Sequence, residues 1–254
     1  MVTGSTALAG KRALVTGASS GLGAHFAELF VARGARVAIG ARRVDRVQAL
    51  ADRLGDAALP LAIDVTDEAS VAAAYDAAEA HFGTVDTIVA NAGQANPGRS
   101  TDLPADKIRS TIDTNFTGVF LTVREGARRL IAAGARERGH GRVVLIGSIT
   151  SHQTATGDAA YAASKAAVAH LGRNFAREWV RAGINVNTIQ PGYIQTEING
   201  DWFATEGGRA QIAGWHRRRL LPIDALDDML TFFASDASAH VTGSVIDVDD
   251  GQSL

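Results

Sequence analysis

At 254 residues the chain is long enough for a substantial buried core, and with no cysteine it excludes a disulfide framework, thiolate chemistry and a cysteine-based metal site. Hydrophobic residues make up 46% and charged residues 20%, and a formal net charge of -2 gives no reason to expect nucleic acid or an anionic membrane as partner. The seven histidines have no His-Glu-x-x-His spacing, so no metal site is expected.

Met1 to Gly10 carries neither the basic cluster and apolar core of a leader nor a run long enough to cross a bilayer, which makes the cytoplasm the default location. Strand candidate Ala13-Leu14-Val15 is followed by a helix from about Gly21 to Arg33, then Arg36-Val37-Ala38-Ile39 and a helix from about Val44 to Leu54. Leu59 to Ile63, a helix from about Glu68 to Phe82, and Thr87-Ile88-Val89-Ala90 repeat the pattern. Later come helices from about Asn115 to Ala133 and from about Ala159 to Ala182, with strands Val143 to Ile146, Ile184 to Ile189 and Val245 to Val248. Short apolar strands separated by helices read as successive βαβ units, which places the chain in the α/β class with a doubly wound, seven-stranded parallel sheet covered by helices on both faces. No linker-like run divides the chain, so one domain over residues 1–254 is expected.

The first strand runs into Thr16-Gly17-Ala18-Ser19-Ser20-Gly21-Leu22-Gly23, which opens the first helix. Glycines let the backbone turn sharply and approach a pyrophosphate, while the helix start offers free N–H groups. Such a cluster also suits a plain tight turn; its strand-to-helix setting favours phosphate binding. Asp64 ends the third strand, ahead of Val65, and Asn91-Ala92-Gly93 follows the fourth. Each has a common local explanation as a cap or turn residue. Ligands of an open parallel sheet bind beyond the carboxyl ends of the strands, so these residues, Gly17 and Ser148 belong to one rim and argue for one cofactor crevice.

Beyond Ser148 a polar loop, Thr150-Ser151-His152-Gln153-Thr154, leads into the helix carrying Tyr161 and Lys165. Four residues is slightly more than one helical turn, so a phenol and an ammonium share a face and can meet one small molecule. A phenol is a poor proton shuttle near neutrality unless a positive charge stabilises its phenolate, and Lys165 would supply that charge. Ser148 would hold a carbonyl or alcohol oxygen while Tyr161 gives or takes its proton.

These motifs, together with Asn115-Phe116-Thr117-Gly118, Pro191-Gly192 and Thr196, make the chain resemble the short-chain dehydrogenase/reductase family from Lys11 to Gly251. The resemblance implies a Rossmann-type sheet and a nicotinamide hydride as the partner that attacks carbon. It implies Tyr161 as acid/base, Ser148 as the group that polarises the substrate oxygen, and Lys165 as the ribose ligand that lowers the phenol pKa. Asn115 would hold a water in a proton relay, Pro191, Gly192 and Ile194 would pack near the nicotinamide, and Thr196 would bond its carboxamide. Ala90, Gln190 and Asp249-Asp250-Gly251 depart from residues common in the family without removing a catalytic group.

An NAD-specific crevice usually ends its second strand with a carboxylate that would repel a 2′-phosphate. Here Ala41 stands at that position and Arg42 follows, offering a guanidinium to a phosphate, so NADP(H) is favoured and NAD(H) remains possible. The segment at about 193–219 is expected to form a substrate lid carrying Trp202, Phe203 and Trp215. Its aromatics would equally close a satellite core. Gln94, Thr150, Gln153, Tyr193 and Trp202 are the candidate substrate contacts, with a ketone or secondary alcohol as substrate. Arg128-Arg129 and Arg217-Arg218-Arg219 raise the alternative of a 3-oxoacyl thioester on an acidic carrier or coenzyme A. A non-catalytic dinucleotide sensor is the alternative from another class. The family resemblance implies a homotetramer, and Ala127, Ala162, Ala163 and Ala166 suit close helix packing across a two-fold axis.

Overall fold

The computed structural model describes residues 6–254, so the first five residues, part of the stretch read for a leader and of the expected 1–254 domain, lie outside the described residues. Strand β1 (Arg12–Thr16), helix α1 (Gly21–Ala32), β2 (Arg36–Ala41), α2 (Val44–Leu54), β3 (Ala58–Ala62), α3 (Glu68–Phe82) and β4 (Thr87–Ala90) form the first half. The second half comprises α4 (Ala105–Ile112), α5 (Gly118–Ala132), the short α6 (Ala135–Arg138), β5 (Gly141–Ile146), α7 (Ala159–Trp179) and β6 (Ile184–Pro191). Helices α8 (Glu206–Gly214) and α9 (Asp227–Ala234) and strand β7 (Val245–Val248) complete it. The strands form a seven-stranded sheet in the order β3-β2-β1-β4-β5-β6-β7, every pairing parallel. The order reverses between β1 and β4, and at such a switch point the loops after the strands splay apart and leave a crevice.

Period-two alternation decides which helices cover which face. Val15, Ile39, Val144 and Ile146 point to one side and pack with Phe26 and Phe30 of α1, Val47 and Leu50 of α2, and Leu230 and Phe233 of α9. Leu14, Ile88, Val143 and Leu145 point to the other, against Tyr75 of α3, Val119 and Val123 of α5, and Val168 and Phe175 of α7. With both faces covered, the strands carry apolar side chains in both directions, which is why they read as continuous hydrophobic runs.

The helix expected from Asn115 begins earlier, at Ala105, where Pro104 provides an extended entry, φ -60° and ψ 143°. It continues into α5 through a π-helical turn, Asp113–Thr117. Gly118 closes that turn because a Cβ there would come 2.6 Å from Val65 Cγ2. The widened turn holds Asn115 fully buried.

Candidate active site

The loop after β1 is shaped as a cradle. Gly17 has φ +72°, and a Cβ on it would come within 2.8 Å of Ala92 Cα, so neither the conformation nor the space admits a side chain. Asn91 staples the loop in place: its Nδ2 donates to Thr16 O at 2.9 Å, while Thr16 Oγ1 accepts from the backbone N–H groups of Asn91 and Ala92 at 3.2 Å. Ser20 enters α1 extended and makes no side-chain cap bond, and no acidic residue lies in the first turn, whose Gly21, Leu22 and Gly23 line the crevice. A narrow cradle lined by bare glycine backbone fits a dinucleotide pyrophosphate.

The crevice has a volume of about 480 Å³. Of the residues expected to bind cofactor, Gly17, Ser19, Ser20, Gly21, Leu22, Gly23, Arg42, Asp64, Val65, Asn91, Ala92, Gly93, Pro191, Gly192, Ile194 and Thr196 all line it. Burial would raise the Asp64 carboxyl, but bonds from Thr66 N at 3.0 Å and Thr66 Oγ1 at 2.7 Å, with the Arg42 guanidinium nearby, bring it below the usual carboxylate range.

Arg43 holds a place here that the sequence reading left to Arg42 alone. Its Nε donates to Ser19 Oγ at 3.0 Å, its Nη2 to Ser20 Oγ at 2.7 Å, and its Nη1 to Glu197 Oε2 at 2.8 Å. Arg46 holds the other Glu197 oxygen at 2.5 Å. Hydrogen bonds from Arg43, Arg46 and Ser20 push the Glu197 carboxyl down to about 2. Arg43 thus bridges the glycine loop and the segment after Thr196, beside Arg42, whose side chain has no bond among the described residues. Its position just before α2 was the available signal; the distant Glu197 partner was not visible.

At the other end, β5 delivers Ser148 and α7 delivers Tyr161 and Lys165, all lining the crevice. Ser148 Oγ accepts from Thr150 Oγ1 at 2.9 Å, which fixes the serine rotamer. Lys165 Nζ lies 5.6 Å from the centre of the Tyr161 ring and donates to Ile146 O at 2.9 Å. Its enclosure, with only 4% of the residue exposed, pulls the ammonium down to about 8. The expectation that Lys165 lowers the phenol pKa is not met in the protein alone: burial pushes Tyr161 up, with Asp158 and Tyr193 adding to the rise and Ser148 opposing it. Desolvation of the phenolate is the largest cause.

Asn115 does not line the crevice among the described residues. Its Nδ2 donates to Gln94 O at 2.9 Å and Ser164 Oγ at 3.0 Å, and its Oδ1 accepts from Gln94 N at 2.8 Å. The side chain is therefore a bracket between the β4 loop and α7.

Of the expected substrate contacts, Thr150 and Tyr193 line the crevice, whereas Gln94, Gln153 and Trp202 do not. Gln94 turns its amide to Ser110 Oγ, and Gln153 Nε2 reaches Gln252 O at 3.4 Å. Trp202 donates to Gln211 Oε1 at 2.7 Å and remains 48% exposed, packed on Gly207. In the segment expected to form a lid, Tyr193 stacks on Trp215 with ring centres 5.2 Å apart and meets Phe203 edge-on at 5.8 Å, a satellite aromatic cluster of which only Tyr193 reaches the crevice among the described residues. Asp158 also lines the crevice. It lies three residues before Tyr161, a spacing that puts both on one side of a helix start and could have been read from the sequence.

Known proteins resemble this chain along nearly its whole length. The short chain dehydrogenase family matches residues 11–207. A cis-4-hydroxycyclohexanecarboxylate dehydrogenase of Sinomonas cyclohexanicum is 38% identical over 252 residues, covering 96% of this chain and 97% of its own. The structure of a gluconate 5-dehydrogenase from Burkholderia cenocepacia in complex with NADP and tartrate superposes with a TM-score of 0.91 at 32% identity, covering 99% of this chain and 98% of that one. The structure of a 3-ketoacyl-(acyl-carrier-protein) reductase from Brucella melitensis complexed with NADH gives 0.89 at 32% identity, with 97% and 100% covered.

Proposed function

The chain belongs to the short-chain dehydrogenase/reductase family, and from that premise we propose that it interconverts a ketone and a secondary alcohol, with NADP(H) preferred over NAD(H). One observation carries the reading: Ser148, Tyr161 and Lys165 line the same crevice as the glycine cradle, from different elements. A bound nicotinamide dinucleotide supplies hydride exchange at the carbon. Ser148 Oγ, held by Thr150, bonds the substrate oxygen, and Tyr161 Oη exchanges the proton with that oxygen. The raised phenol pKa keeps Tyr161 in its donating form at neutral pH, the form a carbonyl oxygen needs during reduction. Lys165 holds the ribose side with its ammonium, and Asn115 keeps the loop carrying Gly93 registered against α7.

The preference for NADP(H) rests on Ala41 ending β2 and on Arg42 lining the crevice, a guanidinium suited to a 2′-phosphate, while Arg43 is committed to Ser19, Ser20 and Glu197. The basic runs that prompted the carrier-protein alternative are partly paired: Arg129 with Asp76, Glu79 and Glu125, and Arg217 and Arg219 with one Asp250, while Arg218 has no ion pair among the described residues. A homotetramer is the proposed assembly. Ala163 and Ala166 lie exposed on α7 and leave room for close two-fold packing, whereas Ala127 faces the core. No described helix is long and apolar enough to cross a membrane. The test is a panel of simple ketones, cyclic ketones and acetoacetyl thioesters followed by the absorbance of the reduced cofactor, with light scattering for the assembly. Turnover of ketones with NADPH ahead of NADH is expected; tight cofactor binding with no turnover across the panel would sink the enzymatic reading.

A further inference from the structure

Asp158 is the residue in the crevice whose chemistry the reaction leaves unused. It lines the substrate end with Ser148, Thr150, Tyr161 and Tyr193. It precedes α7 at the position where an aspartate would ordinarily accept a bond from the first turn of the helix. That bond is not made, and its backbone, φ -133° and ψ 19°, departs from the extended conformation usual for a cap. Among the described residues the carboxylate has neither a salt-bridge nor a hydrogen-bond partner, and burial alone pushes it up to about 6. Its field reaches both phenols, raising Tyr161 and Tyr193. A half-buried carboxylate with no partner among the described residues, beside the group that handles the substrate proton, is arranged to accept from a ligand.

We propose that Asp158 selects the substrate: it accepts a hydrogen bond from an O–H or N–H donor that the ketone or alcohol carries a few bonds from its reacting carbon, and it repels substrates bearing a carboxylate there. Asp158 and Tyr161 line the same end of the crevice, so a single small substrate reaches Tyr161 with its reacting oxygen and Asp158 with its second group. A donor on Asp158 also offsets the negative field on the Tyr161 phenol, so the recognised substrate improves the proton transfer as well as its own binding. The inference rests on the ketone/alcohol reading of the same site and names the substrate class within it.

The test uses the full chain with NADPH and four matched ketones: cyclohexanone, 4-hydroxycyclohexanone, 4-aminocyclohexanone and 4-oxocyclohexanecarboxylate. In the wild type the hydroxyl or ammonium compound is expected to exceed cyclohexanone in kcat/KM by about tenfold or more, and the carboxylate to fall below it by a similar factor, as a hydrogen bond to a charged group allows. An ammonium far ahead of the hydroxyl would identify a cationic substrate, and the two close together a neutral polyhydroxy one. Asp158→Asn should collapse both ratios, mainly through KM, while Asp158→Glu keeps their order. The melting temperature and NADPH dissociation constant of each variant establish that it is folded. Ratios unchanged in Asp158→Asn would overturn the assignment. If no ketone turns over in the wild type, the enzymatic reading fails on its own, and titration of the enzyme–NADP complex with the matching alcohols decides the proposal: tighter binding of donor-bearing alcohols that Asp158→Asn abolishes supports it, and equal binding of all four rejects it.

Discussion

Replacing Lys165 by Met should cost the enzyme its turnover and yet leave the fold as stable or more so at neutral pH. The ammonium is enclosed, and burial alone holds its pKa at about 8 against an ordinary 10.5. A difference of that size corresponds to roughly 3 kcal/mol by which the charged lysine disfavours the folded state below both values. Methionine removes that cost and fills similar space, but it orphans the Ile146 carbonyl that Lys165 bonds at 2.9 Å. An unsatisfied buried acceptor costs about 1–3 kcal/mol, which leaves a net change of about 0–2 kcal/mol in favour of the variant. For a chain of this size each kcal/mol moves the melting temperature by about 2–4 °C. The pH dependence has a definite sign. Between the folded value of about 8 and the unfolded value of 10.5 the unfolded wild type binds more protons than the folded one, so wild-type stability rises with pH through that window. The variant has no such group, and its advantage should shrink by roughly 2 kcal/mol between about pH 7 and about pH 9.5. Urea unfolding at both pH values and one protein concentration measures this. A variant more than about 2 kcal/mol less stable than wild type at neutral pH, or a gap that does not move with pH, would refute the reasoning.

Tyr161→Phe should lower turnover by at least ~10²-fold while leaving the dissociation constant for NADPH nearly unchanged, since the phenol acts on the reacting oxygen; stopped-flow hydride transfer and fluorescence titration separate the two, and retention of more than about a tenth of the rate excludes the assignment. Arg42→Ala should raise the KM for NADPH by about ten- to a hundredfold while affecting NADH less. Equal or better wild-type kcat/KM with NADH would show that Arg42 does not select a phosphate. Gly126→Ala should destabilise the chain by about 1–3 kcal/mol through overpacking, because a Cβ there would collide with Ile88 Cδ1 and Tyr75 Oη. An unchanged urea midpoint would mean that α5 can move away from β4.

The layered architecture was legible because it follows from local rules. Strand runs apolar in both directions, such as Val143 to Ile146, demand a sheet covered on two faces, and glycines at a strand-to-helix junction mark where backbone must be bare. Tyr161 and Lys165 could be placed on one face from their spacing alone, since helical periodicity is a property of the chain. Tertiary structure decided where long polar side chains finish, because each has several partners of similar energy and the choice depends on residues far away in sequence. Arg43 reaches Glu197 across 154 positions, and Gln153 reaches Gln252 across 99. The same competition turned Gln94 to Ser110, used the Asn115 side chain as a bracket, and paired Arg129 and Arg217 with carboxylates from other segments. Burial was decided at the same level. Desolvation raised the phenol of Tyr161 and lowered the ammonium of Lys165, because water is excluded there by elements that meet only in the folded sheet, and the same folding left Asp158 beside them with no partner among the described residues.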